Sequence, residues 1–91
     1  MINEERFEFK VKLNLPKDVV LFSKLAENYE SDIDVQSQDR HYVVDAKSFM
    51  GIFGLNLSNP LIVSTKNIEA GESFMNDVSD YVVHWYRRDE E

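Results

Sequence analysis

The stretch that decides the fold runs from Asp45 to Leu55 and reads DAKSFMGIFGL. Lys47 and Ser48 stand just ahead of a short apolar segment that contains two glycines. Ser48 takes the position at which a helix begins, because serine is a favoured N-cap residue. A phosphate at that position would meet free backbone N–H groups and the positive end of the helix dipole. The stretch therefore predicts a short helix from residue 47 to about residue 53, ended by Gly54.

Upstream of this stretch, the pattern predicts a strand and a helix. From Arg6 onward apolar residues alternate with charged ones, which is typical of a strand with one wet face. The inward positions are Phe7, Phe9, Val11 and Leu13. Pro16 suits the first turn of a helix, and Asp18 complements the helix dipole. Apolar residues then recur at helical spacing, at Val19, Phe22, Leu25, Ala26 and Tyr29.

Two alternating segments predict a hairpin around the polar turn at residues 38–40. The inward residues of its first strand are Ile33, Val35 and Ser37. The inward residues of its second strand are Tyr42, Val44 and Ala46. After the short helix, a loop ends at Pro60 and an apolar strand covers residues 61–65, where a proline before the strand is tolerated.

The last predicted element is a helix that begins near Asn67, a possible cap. Its apolar stripe consists of Phe74, Val78, Tyr81, Val82 and Trp85, and Arg87 and Arg88 lie at its negative end. The predicted order is β-α-β-β-α-β-α. Helices packed on one face of a four-stranded antiparallel sheet give an α+β open-faced sandwich. The ferredoxin-like split βαβ arrangement is the alternative.

Composition and charge exclude several classes of function. The 91 residues fit one domain, 1–91. A net charge of −7 makes nucleic acid a poor partner, because phosphate binding needs a clustered basic surface. The chain has no cysteine, which excludes disulfides and zinc–sulfur sites. With no signal-like apolar run at the N-terminus and no stretch long enough to span a membrane, we expect a cytoplasmic protein. We expect no metal site, because no second histidine or carboxylate cluster accompanies His41 or His84, and we expect no cofactor.

The order of elements and a set of residues resemble the HPr family, the small phosphocarrier proteins of the bacterial sugar phosphotransferase system. The resemblance covers roughly residues 6–87. Its specific part is Ala46-Lys47-Ser48 together with Met50-Gly51. Its generic part consists of the positions Phe22, Lys24, Ala26, Ile33 and Val35. The resemblance implies the HPr-like open-faced β-sandwich, from which the chain departs in a longer hairpin at residues 38–42 and an aromatic-rich end at residues 85–88.

The resemblance also implies where the phosphate-carrying histidine would stand. In the family, a histidine at the start of the first helix takes phosphate from phosphoenolpyruvate by way of enzyme I, and an arginine and a proline accompany it. The matching positions here hold Leu15, Lys17 and Asp18. Leucine has no lone pair with which to accept a phosphoryl group. His41 falls in the hairpin and His84 in the predicted last helix, so the resemblance implies a divergent member without carrier activity.

Ser48 matches the regulatory serine of the family. In Gram-positive relatives an ATP-dependent HPr kinase phosphorylates this serine, and the product binds a LacI-type repressor as its corepressor. The catabolite-repression paralogue Crh also lacks the carrier histidine and keeps the regulatory role. By this resemblance Ser48 is the phosphorylation position, and Lys17, Met50 and Phe53 lie on the partner-binding face.

Other interpretations stay open. Ser48 could serve as a helix cap without being modified. The chain would then be a degenerate HPr-like scaffold or oligomerisation module that uses its apolar side chains. The short helix supplies these, since Phe49, Met50, Ile52 and Phe53 are too many for it to bury fully. An enzyme is not expected, because the chain has no glycine-rich phosphate loop and no paired His/carboxylate spacing.

Overall fold

The structure, a computed structural model, describes residues 6–85, with side chains up to residue 83. The elements are β1 (Phe7–Val11), α1 (Pro16–Ala26), β2 (Asp34–Gln36), β3 (Val43–Asp45), α2 (Phe49–Phe53), β4 (Leu61–Thr65), α3 (Ile68–Asp77), a 3₁₀ turn (Ser79–Tyr81) and β5 (Val82–Trp85). The strands form one antiparallel sheet in the order β3-β2-β4-β1-β5. The α+β architecture with an antiparallel sheet is confirmed.

One core lies between the helices and one face of the sheet. The predicted inward residues of β1, Phe7, Phe9, Val11 and Leu13, are all buried. They share a hydrophobic cluster with residues of all three helices, Val19, Phe22, Ala26, Ile52 and Phe74. The period of two in β1 and the helical spacing in α1 therefore identify the buried faces correctly, because side chains alternate in a strand and repeat every three to four residues in a helix.

Phe74 of α3 lies at the centre of the aromatic part of this core. Its ring centroid is 5.1 Å from that of Phe22, 5.6 Å from that of Tyr29 and 6.3 Å from that of Phe9. The contacts with Phe22 and Tyr29 are edge-to-face, the arrangement that the charge distribution of aromatic rings favours. One side chain thus joins α1, α3 and β1.

The predicted helix caps are confirmed. The Ser48 side chain accepts a hydrogen bond from the Gly51 N–H at the start of α2, and the Asn67 side chain accepts one from the Ala70 N–H at the start of α3. Gly54 follows α2 as its C-cap with φ −76°, an ordinary right-handed conformation. Small polar side chains at these positions satisfy N–H groups that have no partner inside the helix.

The prediction for the C-terminal region is wrong after Asp77. The last helix ends there, and Val82–Trp85 form β5, which pairs with the free edge of β1. His84 and Trp85 consequently belong to a strand, while Arg87 and Arg88 lie outside the described residues. Within residues 6–85 the sheet therefore has five strands, one more than predicted.

The outer edge of β1 explains this difference. An unpaired edge strand presents a row of backbone groups without partners, and β5 supplies partners for those of β1. The Lys12 N–H also donates to the Tyr81 carbonyl at 2.8 Å. Val82 and Val83 are β-branched and suit a strand. Tyr81 and Val82 still pack against the core, as the helical stripe predicts, but from the 3₁₀ turn and the strand.

Tyr42 is a second correction. The alternation predicts an inward side chain, but Tyr42 is 67% exposed. β3 begins one residue later, and Tyr42 belongs to the wide turn of the hairpin, where its carbonyl accepts from the Ser37 N–H at 2.9 Å. Arg40 in the same turn has φ 65°, in the left-handed region, so the chain leaves the strand geometry on which the alternation depends.

The face of the sheet opposite the helices carries an ionic network. Arg40, from the hairpin turn, donates to both carboxylate oxygens of Glu8 at 2.9 and 3.2 Å. Arg6 donates to the Ser64 hydroxyl at 2.6 Å and to the Asp34 carboxylate at 3.1 Å. Ser64 is completely buried beneath these side chains. The network therefore joins β1, β2, β4 and the hairpin turn across the open face.

We expect acid to weaken the fold partly through Glu8. The hydrogen bonds from Arg40 hold the pKa of the Glu8 carboxyl below its ordinary value, although partial burial opposes this shift. A lowered folded-state pKa stabilises the fold above the unfolded-state pKa, and this stabilisation is lost as pH falls through the folded-state value. Because the pair is partly exposed, we expect a contribution of about 0.5–1 kcal/mol.

Urea unfolding at neutral and at acid pH measures this contribution. Glu8→Gln should lose stability at neutral pH and show a smaller acid-induced loss than the unmodified chain. Glu30→Gln, at an exposed position, serves as the control. Equal acid-induced losses in the unmodified chain and in Glu8→Gln would rule out this role for Glu8.

Candidate functional site

Ser48 occupies an exposed corner between β3 and α2. Its Oγ accepts from the Gly51 N–H at 3.2 Å, and its carbonyl accepts from the Ile52 N–H at 3.1 Å. Its own N–H donates to the Asp45 carbonyl at 2.9 Å. The backbone of Ser48 is therefore hydrogen-bonded both to an earlier and to a later residue, while the residue itself is exposed to solvent. A hydroxyl in this setting is accessible to a modifying enzyme and also serves as a cap.

Three large apolar side chains follow Ser48 and are exposed. Met50 is 70% exposed, Phe49 42% and Phe53 38%, whereas Ile52 is completely buried. The rings of Phe49 and Phe53 meet edge-to-face with centroids 6.3 Å apart. α2 is only five residues long, and Ile52 is its one buried residue. The other large apolar side chains of this helix therefore face out. We call Phe49, Met50 and Phe53 the α2 patch.

The structure brings the predicted partner-binding elements side by side. α1, which carries the exposed Lys17, packs against α2, which carries Met50 and Phe53. Lys47, next to Ser48, points elsewhere, because its Nζ donates to the Ser31 carbonyl at 3.3 Å. The sequence analysis does not place Phe49 on the partner-binding face. Its spacing of four residues from Phe53 nevertheless indicates that both side chains lie on one face of the helix.

The start of α1 carries Leu15, which the sequence resemblance predicts to stand at the carrier-histidine position. Leu15 is 51% exposed and has extended backbone angles, φ −119° and ψ 151°. Its N–H donates to the Asp18 carboxylate at 3.1 Å, and its carbonyl accepts from the Asp18 N–H at 2.9 Å. A carboxylate of the chain itself therefore occupies the positive end of this helix, where a phosphoryl group would otherwise find N–H donors.

Tyr81 is a neighbour of Asp18 that sequence reasoning missed. Burial raises the pKa of the Tyr81 hydroxyl, and the negative charge of Asp18 raises it further. Tyr81 belongs to the 3₁₀ turn that leads into β5, so its place beside α1 depends on the strand that the periodicity does not predict. The 3₁₀ turn thus lies next to the start of α1.

Neither histidine lies at the start of a helix. His41 is in the hairpin turn, where its Nδ1 is 3.0 Å from an Asp39 carboxylate oxygen. The His41 N–H, the Ser37 hydroxyl and the His41 ring hold the pKa of Asp39 well below its ordinary range, in that order of effect. His84 is in β5.

Within residues 6–85, no group of three or more histidine, aspartate or glutamate side chains is placed to hold a metal ion. No helix in this part of the chain is long and apolar enough to cross a membrane. Two clefts in the described part of the chain are open to solvent. One lies between the hairpin turn and residues 54–59, and another lies beside the start of α3.

Comparison with solved structures decides the fold. The crystal structure of a phosphocarrier protein HPr from Bacillus anthracis str. Ames superposes with a TM-score of 0.63, over 86% of this chain and 98% of that one. The chain has an HPr-like fold. This result confirms the HPr-like open-faced sandwich over the ferredoxin-like alternative.

The likeness to HPr is one of structure, because the two sequences are 22% identical. No family model matches the chain, and no curated protein matches it. β5 gives the chain one strand more than the HPr-like sheet of four that the sequence predicted.

Proposed function

We propose that this chain is an HPr-like regulatory protein that acts through protein–protein contact and is switched by phosphorylation of Ser48. The observation that carries the proposal is an exposed serine directly followed by the exposed apolar α2 patch. In this proposal an HPr kinase and a LacI-type repressor are the expected classes of partner, and the cytoplasm is the expected location. The chain carries no phosphoryl group between enzymes and is not itself an enzyme.

The α2 patch favours a docking role over a purely structural one. Exposed side chains of this size, grouped on one short helix, leave apolar surface in water that a partner would cover. Lys17 on the neighbouring α1 adds a cation at an exposed position. A large apolar anchor beside a polar rim is the usual composition of a protein interface.

Phosphorylation would change this surface sharply. It adds about −1.5 to −2 charge and three acceptor oxygens next to the patch. A partner with an arginine or lysine facing Ser48 would then bind more tightly, through a charge-assisted hydrogen bond. A partner that presents a carboxylate there would bind less tightly. The switch therefore selects between partners and needs no change of fold.

The start of α1 supports the loss of carrier activity. Leu15 offers no nucleophile, and the Asp18 carboxylate already accepts the Leu15 N–H. A carboxylate could in principle form an acyl phosphate. Here, however, Asp18 is engaged as a partner of the helix terminus, and a phosphate approaching it would meet like charge.

We expect the chain to take one phosphate from ATP in the presence of an HPr kinase and none from phosphoenolpyruvate in the presence of enzyme I. Ser48→Ala should abolish the ATP-dependent mass increase, whereas Ser58→Ala, at an exposed loop serine, should leave it unchanged. Intact-mass spectrometry measures both reactions. A phosphate gained from phosphoenolpyruvate would refute the loss of carrier activity, and phosphorylation that survives Ser48→Ala would refute the switch.

A scaffold or oligomerisation module is the second candidate, because the α2 patch is exposed without any modification. In that case the chain would self-associate through the patch and Ser48 would remain a cap. Sedimentation velocity separates the two functions. Self-association that Phe53→Asp abolishes, in a chain that no kinase modifies, would favour the scaffold.

A further inference from the structure

Met50 is the most exposed large apolar side chain in the described part of the molecule, at 70%. Met75, the other described methionine, is half-buried against the core. The chain has no cysteine, so its oxidisable sulfur is all in methionine. Oxidants reach sulfur in proportion to its exposure. Met50 is therefore the described sulfur atom that a peroxide would reach first.

We propose that Met50 is a reversible oxidation site that controls the α2 patch. In the reaction, the thioether sulfur attacks one oxygen of hydrogen peroxide, the O–O bond breaks, and a sulfoxide and one water molecule form. The sulfur loses two electrons and the peroxide gains them. A methionine sulfoxide reductase reverses the change with two electrons from a dithiol, which becomes a disulfide while the sulfoxide oxygen leaves as water. The role of the patch in docking rests on the proposed function, but the oxidation does not.

The position of Met50 makes this oxidation consequential. Oxidation adds a strong hydrogen-bond acceptor to the α2 patch, whose three side chains are all apolar. A partner that covers the patch must then bury an oxygen for which the patch supplies no donor, and an unpaired buried polar atom is costly. Within the chain itself little changes, because the exposed Met50 contributes little to the core. Oxidation therefore weakens docking and leaves the fold intact.

The first experiment exposes the full chain to hydrogen peroxide and follows oxidation by peptide-level mass spectrometry, which reports Met50, Met75 and Met1 separately. We expect Met50 to oxidise at least about fivefold faster than Met75 in the native protein. In urea the two rates should become equal. Equal rates in the native protein would overturn the proposal, because they would show that the fold does not direct the oxidant to Met50.

The second experiment measures the patch directly, by retention on a hydrophobic-interaction column. Peroxide-treated protein should elute earlier than untreated protein, and reductase treatment should restore its retention. Met50→Leu keeps an apolar side chain without sulfur, so peroxide should not change its retention, although Met1 and Met75 are still present. An equal shift in Met50→Leu and in the unmodified chain would overturn the proposal.

The third measurement concerns docking and uses the HPr kinase as the probe. Peroxide treatment should slow phosphorylation of Ser48 on the order of tenfold in the unmodified chain. Met50→Leu, compared with its own untreated rate, should not slow. If the untreated chain takes no phosphate, the proposed function is refuted. The retention experiment on the hydrophobic-interaction column then tests the oxidation of Met50 by itself. A phosphorylation rate that oxidation leaves unchanged would overturn the control of docking.

Discussion

Replacing Phe74 with alanine should lower the free energy of unfolding by about 3–5 kcal/mol. Phe74 is completely buried, and its ring meets those of Phe9, Phe22 and Tyr29. Its removal costs the transfer free energy of the ring, leaves a cavity and breaks the edge-to-face contacts with Phe22 and Tyr29. A chain of this length has a total stability of about 5–13 kcal/mol, so the variant should be close to unfolding at moderate temperature.

Urea unfolding, followed by circular dichroism, measures the effect. Phe49→Ala is the matched control, since it removes the same ring from an exposed position on α2. We expect that variant to lose about 0.5–1 kcal/mol at most. Similar losses for the two variants would show that the aromatic core does not carry the stability of this fold.

Replacing Gly71 with alanine should destabilise the protein by about 1–3 kcal/mol, although alanine is the better helix former. A Cβ at this position would lie 2.6 Å from the Cδ2 atom of Phe7, 3.0 Å from the Cβ of Phe7 and 2.9 Å from the Cγ2 of Thr65. Thr65 cannot rotate away freely, because its hydroxyl donates to the Asp32 carbonyl at 2.7 Å. α3 would have to move away from β1 and β4.

Gly54→Ala is the control for this substitution. A Cβ there would have one neighbour within 4 Å, the Gly51 carbonyl oxygen at 3.3 Å, and the backbone is already right-handed. We expect no loss, or a gain of about 0.4–1 kcal/mol from a less flexible unfolded chain. A Gly71→Ala protein as stable as the unmodified chain would refute the steric conflict with Phe7 and Thr65.

Local sequence predicted most of the fold because its signals are local. The alternation at Phe7 and Phe9 predicts the buried face of β1, and Ser48 and Asn67 predict the starts of α2 and α3 through hydrogen bonds that span three residues. These features depend on one strand or on one helical turn. Tyr42 is the exception among them, because a left-handed residue in the turn before it breaks the alternation.

The candidate site was predictable in part. Sequence places a serine at the start of a short apolar helix, and at the start of the first helix a leucine, which has no nucleophilic group. It does not predict which apolar side chains of α2 stay exposed. Their exposure depends on how α2 packs against β3 and α1, which leaves only Ile52 buried. It also does not predict that Tyr81 lies beside Asp18, since the two residues are far apart in the chain and meet through the 3₁₀ turn.

The amino-acid sequence by itself determined an α+β fold with a capped short helix at Ser48 and no nucleophile at Leu15, since periodicity, capping and side-chain chemistry are properties of neighbouring residues. Only the tertiary structure decided that residues 82–85 form a strand, because the free edge of β1 offers hydrogen bonds that a local helix pattern cannot reveal. It also decided that Phe49, Met50 and Phe53 form one exposed surface. That surface depends on how α2 packs against α1 and β3, because this packing determines which face of α2 is exposed to water.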